Sequence, residues 1–223
     1  MNQAQIRQYL QMYLVVGSVN CKASDPIAVV KTALSAGVTL VQFREKGAGA
    51  LQEAERLRLA LQMQALCRDA SVPFIINDDV DLALEIHADG VHIGQDDDNA
   101  AEVRARIGDR ILGVSAHTVS EARLAIHHGA DYLGIGPIYP THSKDDAHEV
   151  QGTTILRELR DNGIEVPLVG IGGITEARTV EVIKAGADGV AVISAITGAK
   201  DVYEAVVRMK KKVEGTLKER IEY

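Results

Sequence analysis

Short runs of apolar, mostly β-branched residues alternate with helical patterns along almost the whole chain. Each run stops at a polar or glycine-rich corner, and a stretch with apolar residues at helical spacing follows. Runs of this kind are typical of strands that are covered on both faces, as in a parallel sheet. The pattern predicts eight strands, at Tyr13–Gly17, Thr39–Phe43, Pro73–Asn77, Gly90–Gly94, Ile111–Ser115, Tyr132–Gly136, Pro167–Ile171 and Gly189–Ser194.

Helix signals fill the intervals between these runs. Asp25 before Pro26 predicts a capped helix that continues to Ser35, where Ala36-Gly37 ends it. The longest helix is predicted over Leu51–Ala70, with one apolar stripe made of Leu57, Leu61 and Ala65.

Further helices are predicted in the second half of the chain. Thr118 and Glu121 have the spacing of a capping box. Thr175 is expected to cap a helix over Glu176–Ala185, and residues 201–218 form a charged amphipathic pattern that predicts a closing helix.

Three of the predicted strands follow nearly the same phrase, which combines a helix stop with a tight turn: Ala88-Asp89-Gly90-Val91, Gly129-Ala130-Asp131-Tyr132 and Gly186-Ala187-Asp188-Gly189-Val190. This repeat favours regular βα units of roughly 20 to 40 residues. No linker or break in composition divides the chain, so residues 1–223 are expected to form one domain. The predicted fold class is α/β, a closed (β/α)8 TIM barrel, and a doubly wound parallel sheet is the alternative.

Composition narrows the function classes. A formal net charge of −7 and a pI near 5.5 argue against a general surface for nucleic acid or anionic membranes. No stretch approaches the length of a membrane span, and the polar N-terminus lacks a signal region, so a cytoplasmic protein is expected. Cys21 and Cys67 lie far apart without metal-ligand spacing and are expected to stay reduced.

The second strand carries an unusual file of polar residues. Gln42, Arg44 and Lys46 alternate along Leu40–Lys46, so an extended chain directs them to one face. A strand does not need such a file for stability, whereas a parallel barrel that binds an anion at the C-terminal mouth does. The pattern therefore indicates an anion site at that mouth.

Carboxylates follow the third and fourth predicted strands. Asn77-Asp78-Asp79 closes one strand, and Gln95-Asp96-Asp97-Asp98 follows the next. Neighbouring strands would bring an acid from each corner close together, beside the cations of the second strand. Mg²⁺ is commonly held by one or two carboxylates together with substrate phosphates, so Mg²⁺ is the expected cofactor. For any single Asp, capping of a helix N-terminus is the competing interpretation.

A second anion site is expected on the other side of the mouth. Gly172-Gly173 ends the seventh strand, and Ile193-Ser194 ends the eighth. Backbone N–H groups at these two corners form a common phosphate pocket in such barrels. The polar segment 140–146 is long enough to act as a lid and carries Lys144, which is either a third cation of the site or an exposed loop lysine.

In order and spacing, these corners resemble the thiamine-phosphate synthase family from about Tyr13 to Ala195. The segments that carry the resemblance are Gln42-Phe43-Arg44-Glu45-Lys46, Asn77-Asp78, His92-Ile93-Gly94-Gln95-Asp96-Asp97, Gly113-Val114-Ser115, Gly136-Pro137-Ile138-Tyr139-Pro140-Thr141, Gly170-Ile171-Gly172-Gly173-Ile174 and Ile193-Ser194. The resemblance implies a transferase that joins 4-amino-5-hydroxymethyl-2-methylpyrimidine diphosphate to a thiazole phosphate and releases pyrophosphate. The loop departs from the family's Thr-x-Thr-Lys pattern, because Ser143 stands at the second hydroxyl position.

The resemblance also implies roles for individual residues. The pyrimidine diphosphate would be held by Gln42, Phe43, Arg44, Glu45, Lys46, Asn77, Ser115 and Lys144, of which Arg44, Lys46 and Lys144 would be catalytic. The thiazole phosphate would be held by Thr141, His142, Ser143, Gly173, Ile193 and Ser194. Mg²⁺ would be bound by Asp78 and Asp97.

Other interpretations are weighed against this one. A thiazole tautomerase-like enzyme would share the barrel and the phosphate pocket but have little use for the acids and cations. A non-catalytic phosphate-ligand sensor would keep the glycine pocket without the metal acids. Pentose-phosphate epimerases would need acid–base residues facing each other across the substrate, where this chain supplies cations. Helices of such barrels often pair, so a homo-oligomer is possible.

Overall fold

Eight parallel strands close into a barrel in the order in which they occur along the chain. The structure is a computed structural model, and it describes residues 2–21, 24–141, 143 and 149–221. All eight predicted strands are present, which confirms the barrel and excludes the doubly wound sheet. Their bounds are β1 Met12–Val16, β2 Leu40–Phe43, β3 Phe74–Asn77, β4 Gly90–Ile93, β5 Ile111–Ala116, β6 Tyr132–Ile135, β7 Leu168–Ile171 and β8 Gly189–Val192.

Helices connect these strands and surround the barrel. Their bounds are α1 Gln3–Leu10, α2 Pro26–Ser35, α3 Glu53–Asp69, α4 Val80–Glu85, α5 Ala100–Ile107, α6 Val119–His127, α7 Thr154–Asp161, α8 Thr179–Lys184, α9 Ser194–Thr197 and α10 Val202–Ile221. Single turns of 3-10 helix lie at Ser18–Asn20 and Glu176–Arg178. Among the described residues, none of these helices has the length and apolar character needed to cross a membrane.

Side chains of each strand alternate between two packed layers. In β1, Met12 and Leu14 join the helix-facing layer, whereas Tyr13 and Val15 fill the interior of the barrel. The strands are almost fully buried on both sides, which explains why their sequences are continuous apolar runs. Helix α1 contributes Ile6 and Leu10 to the interior cluster and so closes the N-terminal end of the barrel.

The apolar stripe predicted for α3 packs on the barrel only in part. Leu57 packs against the core, but Leu61 is 45% exposed, and the buried positions of the helix are Leu59, Ala60, Met63 and Cys67. The predicted stripe and the buried positions are offset by two residues, or about half a turn, so the helix carries apolar residues on more than one face. Helical periodicity alone could therefore not decide which face packs on the barrel.

The predicted caps were correct for α2 and only in part elsewhere. Asp25 accepts the Ile27 N–H at 3.1 Å. Thr118 accepts the Glu121 N–H at 3.1 Å, but the Glu121 carboxylate receives the N–H of His117, one residue before the expected position.

The segment after Thr175 differs from the predicted continuous helix. The Thr175 side chain makes no capping hydrogen bond; its carbonyl instead accepts the Arg178 N–H at 3.0 Å. This bond spans three residues, so it tightens the backbone into a 3-10 turn at Glu176–Arg178, and α8 begins only at Thr179.

Candidate functional site

A cavity of about 920 Å³ opens at the C-terminal mouth of the barrel. The corners after β2, β3, β4, β5, β6, β7 and β8 all contribute to its lining. Predicted site residues that line it are Arg44, Lys46, Asn77, Asp78, Asp97, Ser115, Thr141, Ser143, Gly173, Ile193 and Ser194. Thus residues that are scattered over about 150 positions of sequence meet in one place, as the parallel barrel predicts.

Two carboxylates and a lysine form the charged group at the β3 and β4 corners. The Lys46 ammonium lies 2.9 Å from Asp78 Oδ2, and the Asp97 carboxyl is within hydrogen-bond reach of Asp78. Burial raises the pKa of Asp78 to about 6, the Asp97 carboxyl adds to the rise, and Lys46 opposes it. The arrangement places two acidic groups close enough to share one cation.

The backbone holds these two acids in position. Asp78 adopts a φ of 61°, which is uncommon for a residue with a side chain, and its N–H donates to the His92 carbonyl at 2.8 Å. Asp97 Oδ2 accepts the Gly94 N–H at 2.7 Å. Asp78 is therefore fixed to β4, and Asp97 to the residue that follows β4, by hydrogen bonds.

Asp79 has a structural function that distinguishes it from its neighbour. Its Oδ1 accepts the Leu82 N–H at 2.8 Å and caps α4, and its Oδ2 lies 2.7 Å from Arg56. Of the two adjacent acids, the structure places Asp78 in the cavity and uses Asp79 to begin a helix.

A buried chain of hydrogen bonds connects the barrel interior with Ser115 in the mouth. Gln42 Nε2 donates to the Tyr13 hydroxyl at 2.6 Å, and that hydroxyl lies 2.9 Å from the Tyr132 hydroxyl. The Tyr132 hydroxyl is 2.9 Å from His92 Nδ1, and His92 Nε2 is 3.0 Å from Ser115 Oγ.

The donor at one end of this chain is consistent with one order of its protons. Since Gln42 donates to Tyr13, the Tyr13 hydroxyl can donate to Tyr132, and the Tyr132 hydroxyl can donate to His92 Nδ1. In that order His92 would carry its proton on Nε2 and donate to Ser115. The Ser115 hydroxyl would then be able to donate to a ligand in the mouth.

Gln42 and Phe43 are neighbours in β2, and their side chains point to opposite faces of the strand. Gln42 is 2% exposed and points into the interior, below the lining of the cavity. Phe43 belongs to the helix-facing layer, where it packs near Phe74 with 6.3 Å between ring centroids. The Phe43 side chain therefore does not face the mouth, because alternation along the strand turns it outward.

Glu45 holds two loops together and does not line the cavity. Its carboxylate accepts the Ser18 N–H at 2.7 Å and the Leu51 N–H at 2.9 Å. It fixes the loop after β1 against the loop after β2. Arg44 itself is 5% exposed, and its N–H donates to the Val16 carbonyl at 2.9 Å.

Glycine allows the corner after β7 to approach the corner after β6. Gly173 has a φ of 61°, and a Cβ atom there would lie 2.5 Å from the Pro140 carbonyl oxygen. Ser143 Oγ donates to Ser194 Oγ at 3.1 Å and so joins the loop after β6 to the start of α9. Hydroxyls and backbone amides dominate this side of the mouth.

Arg178 and Thr175 also line the cavity, and the sequence interpretation missed both. Arg178 was hidden because a continuous helix capped at Thr175 gave no reason to place it in the mouth. The sequence did carry one signal for this position: Arg178 lies five residues after Gly173, at the very start of the helical pattern. The predicted residues His142 and Lys144 lie outside the described residues.

Comparison with known proteins identifies related sequences over nearly the full length. A family model described as thiamine monophosphate synthase matches residues 12–196. A thiamine-phosphate synthase of Bacillus cereus is 56% identical over 208 residues, covering 93% of this chain and 94% of the relative. Another from Bacillus licheniformis is 56% identical over 211 residues, covering 95% of this chain and 94% of the relative.

The fold comparison agrees with the sequence comparison. A solved structure of thiamine phosphate pyrophosphorylase from Pyrococcus furiosus superposes with a TM-score of 0.84 at 34% identity, covering 95% of this chain and 99% of that one.

Proposed function

The chain belongs to the thiamine monophosphate synthase family and is a transferase, and from this premise we propose its reaction in detail. It joins 4-amino-5-hydroxymethyl-2-methylpyrimidine diphosphate to thiazole phosphate, with Mg²⁺ as cofactor, and forms thiamine phosphate and pyrophosphate. The observation that carries the proposal is the division of the mouth. Arg44, Lys46 and two carboxylates lie at the corners after β2 to β4, and hydroxyls and glycine amides lie at the corners after β6 to β8.

The first group suits a diphosphate with a divalent cation. Asp78 and Asp97 are in contact, and the pKa of Asp78 is raised chiefly by burial, with a further rise from its acidic neighbour. A bound Mg²⁺ would relieve that repulsion and neutralise part of the charge of the diphosphate. Within the described part of the chain, no cluster of three or more acidic, histidine or cysteine side chains could enclose a metal. Two carboxylates fit Mg²⁺, which usually completes its shell with substrate phosphates and water.

The second group suits a monophosphate. Gly173, Ile193, Thr141, Ser143 and Ser194 border this side of the mouth, with the Ser143 and Ser194 hydroxyls 3.1 Å apart. Hydroxyl and backbone N–H donors bind phosphate oxygens without a strong preference for the rest of the ligand. A thiazole anchored here by its phosphate would have its ring nitrogen directed across the mouth.

The reaction needs orientation and charge neutralisation more than proton transfer. The bond between the pyrimidine methylene carbon and the diphosphate oxygen breaks, and the pyrophosphate leaves with the electron pair. The electron-rich aminopyrimidine stabilises the cation that remains, and the lone pair of the thiazole nitrogen forms the new C–N bond. Arg44, Lys46 and, by its resemblance to the family pattern, Lys144 neutralise the charge that develops on the leaving group.

Ser115 and Asn77 complete the proposed pyrimidine site. A proton order that runs from Tyr132 through His92 would make Ser115 a hydrogen-bond donor, suited to an acceptor atom of the pyrimidine or its diphosphate. Asn77 lines the cavity next to Asp78 and contributes an amide that can donate to a diphosphate oxygen.

Product formation tests the proposal directly. The purified protein is incubated with both substrates and Mg²⁺, and thiamine phosphate is measured as fluorescent thiochrome after oxidation. Signal is expected with Mg²⁺ and should disappear in EDTA and return when excess Mg²⁺ is added. Absence of product although both ligands bind would reject the synthase reaction and favour a tautomerase or a sensor. Product that is insensitive to EDTA would reject the metal role of Asp78 and Asp97.

A further inference from the structure

Arg178 occupies a position in the mouth that none of the predicted site residues covers. It ends the 3-10 turn Glu176–Arg178, which follows the glycine corner of β7, and it lines the cavity together with Gly173 and Thr175. The tight turn is the reason for this placement. An α-helix beginning at Thr175 would have turned Arg178 to a different direction, because it has 3.6 residues per turn where a 3-10 helix has 3.0.

Contacts with two loops hold the guanidinium of Arg178 in place. Its Nη1 donates to the Gly173 carbonyl at 2.7 Å, and its Cζ lies 4.3 Å from the centroid of the Tyr139 ring. Tyr139 is held in turn by Glu181, whose Oε2 accepts the tyrosine hydroxyl at 2.8 Å. Stacking on an aromatic face and one fixed hydrogen bond preorganise the side chain, so less entropy is lost when it binds a ligand.

This anchoring leaves donors for a ligand. A guanidinium carries five N–H donors. Among the described residues, one hydrogen bond of the Arg178 side chain is seen, to the Gly173 carbonyl. Because the side chain lies at the border of the cavity, these donors are accessible to an anion bound at the glycine corner.

The closed order of the strands separates the cations of the mouth. Arg44 and Lys46 follow β2, and the strand opposite β2 in an eight-stranded ring is β6, next to β7. Among the lining residues that the structure describes, the β6 to β8 side has one arginine, Arg178, and no lysine. Arg44 and Lys46 thus lie on one side of the mouth and Arg178 on the other, and in the proposed reaction the methylene carbon is transferred between the two anions.

We propose that Arg178 binds the phosphate of the thiazole substrate and sets the preference of this site for a phosphorylated ligand. This inference rests on the proposed function and extends it by a residue outside the glycine and hydroxyl set. Paired N–H groups of arginine match two phosphate oxygens, an interaction that a lysine or an amide reproduces only in part.

Steady-state kinetics of Arg178→Gln provide the test. With pyrimidine diphosphate saturating, the KM for thiazole phosphate should rise about ten- to hundredfold, the range expected for a lost hydrogen bond to a charged group. The KM for pyrimidine diphosphate, measured at saturating thiazole phosphate, should change less than about twofold. Arg178→Lys should give an intermediate KM, because it keeps the charge and loses the fork of donors.

A substrate without phosphate distinguishes binding from loop support. Thiazole alcohol should be used equally by the wild type and by Arg178→Gln, whereas a variant that merely loosens the Gly173 loop would lose activity with both thiazoles. Arg208→Gln is the matched control, since Arg208 bonds Glu176 at 3.0 Å and is not part of the cavity lining. It should leave both KM values unchanged.

Two results would overturn the inference. One is an unchanged KM for thiazole phosphate in Arg178→Gln, and the other is an equal loss with thiazole alcohol. Failure of the proposed function has a different signature, because the wild type would then form no thiamine phosphate. Calorimetric titration of the wild type and of Arg178→Gln with thiazole phosphate, without the second substrate, measures the contribution of Arg178 to binding in either case.

Discussion

Arg160 donates to Asp188 across 2.8 Å at the N-terminal end of the barrel, and the same guanidinium also binds the carbonyls of Ile164, Val166 and Gly186. Asp188 in turn accepts the Leu168 N–H at 2.9 Å, so the pair ties the end of one helix to the start of two strands. Asp188 belongs to the Gly-Ala-Asp motif that precedes β8, and the same motif precedes β6. Asp131 has the corresponding relationship with Arg104, at 2.6 Å, and with the Leu112 N–H, at 2.8 Å.

Asp188 supports stability, and its loss should be costly. Arg7 and Arg220 also lie within 3.5 Å and 2.9 Å of this carboxylate, whose side chain is 3% exposed. In Asp188→Asn the arginines would lose their counter-charge, so we expect a loss of about 3 kcal/mol in the free energy of unfolding. Urea denaturation measures this change.

Asp131→Asn is the matched control for that experiment. Its carboxylate is 27% exposed and pairs with Arg104, so solvent compensates part of the loss and we expect about 1 kcal/mol. Equal destabilisation of the two variants would contradict the argument from burial. Both should retain their activity per folded molecule, because they lie at the end of the barrel opposite the mouth.

Asp78 and Asp79 are adjacent and should respond differently to substitution. Asp78→Asn removes a proposed Mg²⁺ ligand, so the Mg²⁺ concentration for half-maximal activity should rise at least about tenfold. Asp79→Asn should leave that concentration unchanged, because Asp79 caps α4 and pairs with Arg56. If Asp79→Asn alone shifted the Mg²⁺ requirement, the metal would have been assigned to the wrong carboxylate.

The sequence was sufficient to predict that Asp78 and Asp97 lie close together. Corners of successive parallel strands must meet, so the proximity of Asp78 and Asp97 followed from counting strands. The orientation of Phe43 and Glu45 was missed because the resemblance covers a contiguous segment, whereas alternate residues of a strand face opposite layers. The mouth position of Arg178 depends on a hydrogen bond from its backbone to Thr175, whereas the sequence signalled only that Arg178 lies close to Gly173.

Arg44 should be needed for turnover more than for folding. Arg44→Ala removes a buried positive group from the proposed diphosphate site, and kcat/KM should fall about a hundredfold, equivalent to about 3 kcal/mol. Arg123→Ala is a suitable control, since Arg123 is an exposed arginine of α6 that contacts the Asn162 carbonyl. Wild-type turnover in a folded Arg44→Ala variant would refute the proposed charge neutralisation. Lys144→Ala is expected to reduce turnover by a similar factor.

Tyr132→Phe should interrupt the hydrogen-bond chain without leaving a cavity. His92 Nδ1 and the Tyr13 hydroxyl would each lose a buried partner, at a cost of about 1 to 3 kcal/mol in stability. The proton of His92 would no longer be directed to Nε2. Nitrogen NMR of labelled histidine should therefore show Nε2 protonated in the wild type and a mixture of tautomers in the variant. Protonation of Nδ1 in the wild type would mean that the proton order runs in the opposite direction.

The two cysteines should be inert while the protein is folded. Burial raises the pKa of Cys21 to about 11 and that of Cys67 to about 12, with nearby carboxylates adding to both shifts. A raised pKa of an acidic group means that the unfolded thiols ionise first, so stability should fall as the pH rises above the ordinary value near 9. At pH 8 the native protein should react with a thiol reagent such as DTNB at least about a hundredfold more slowly than the protein in urea, because thiolate and access are both lacking. Rapid reaction of either thiol before unfolding would show that its burial does not persist in solution.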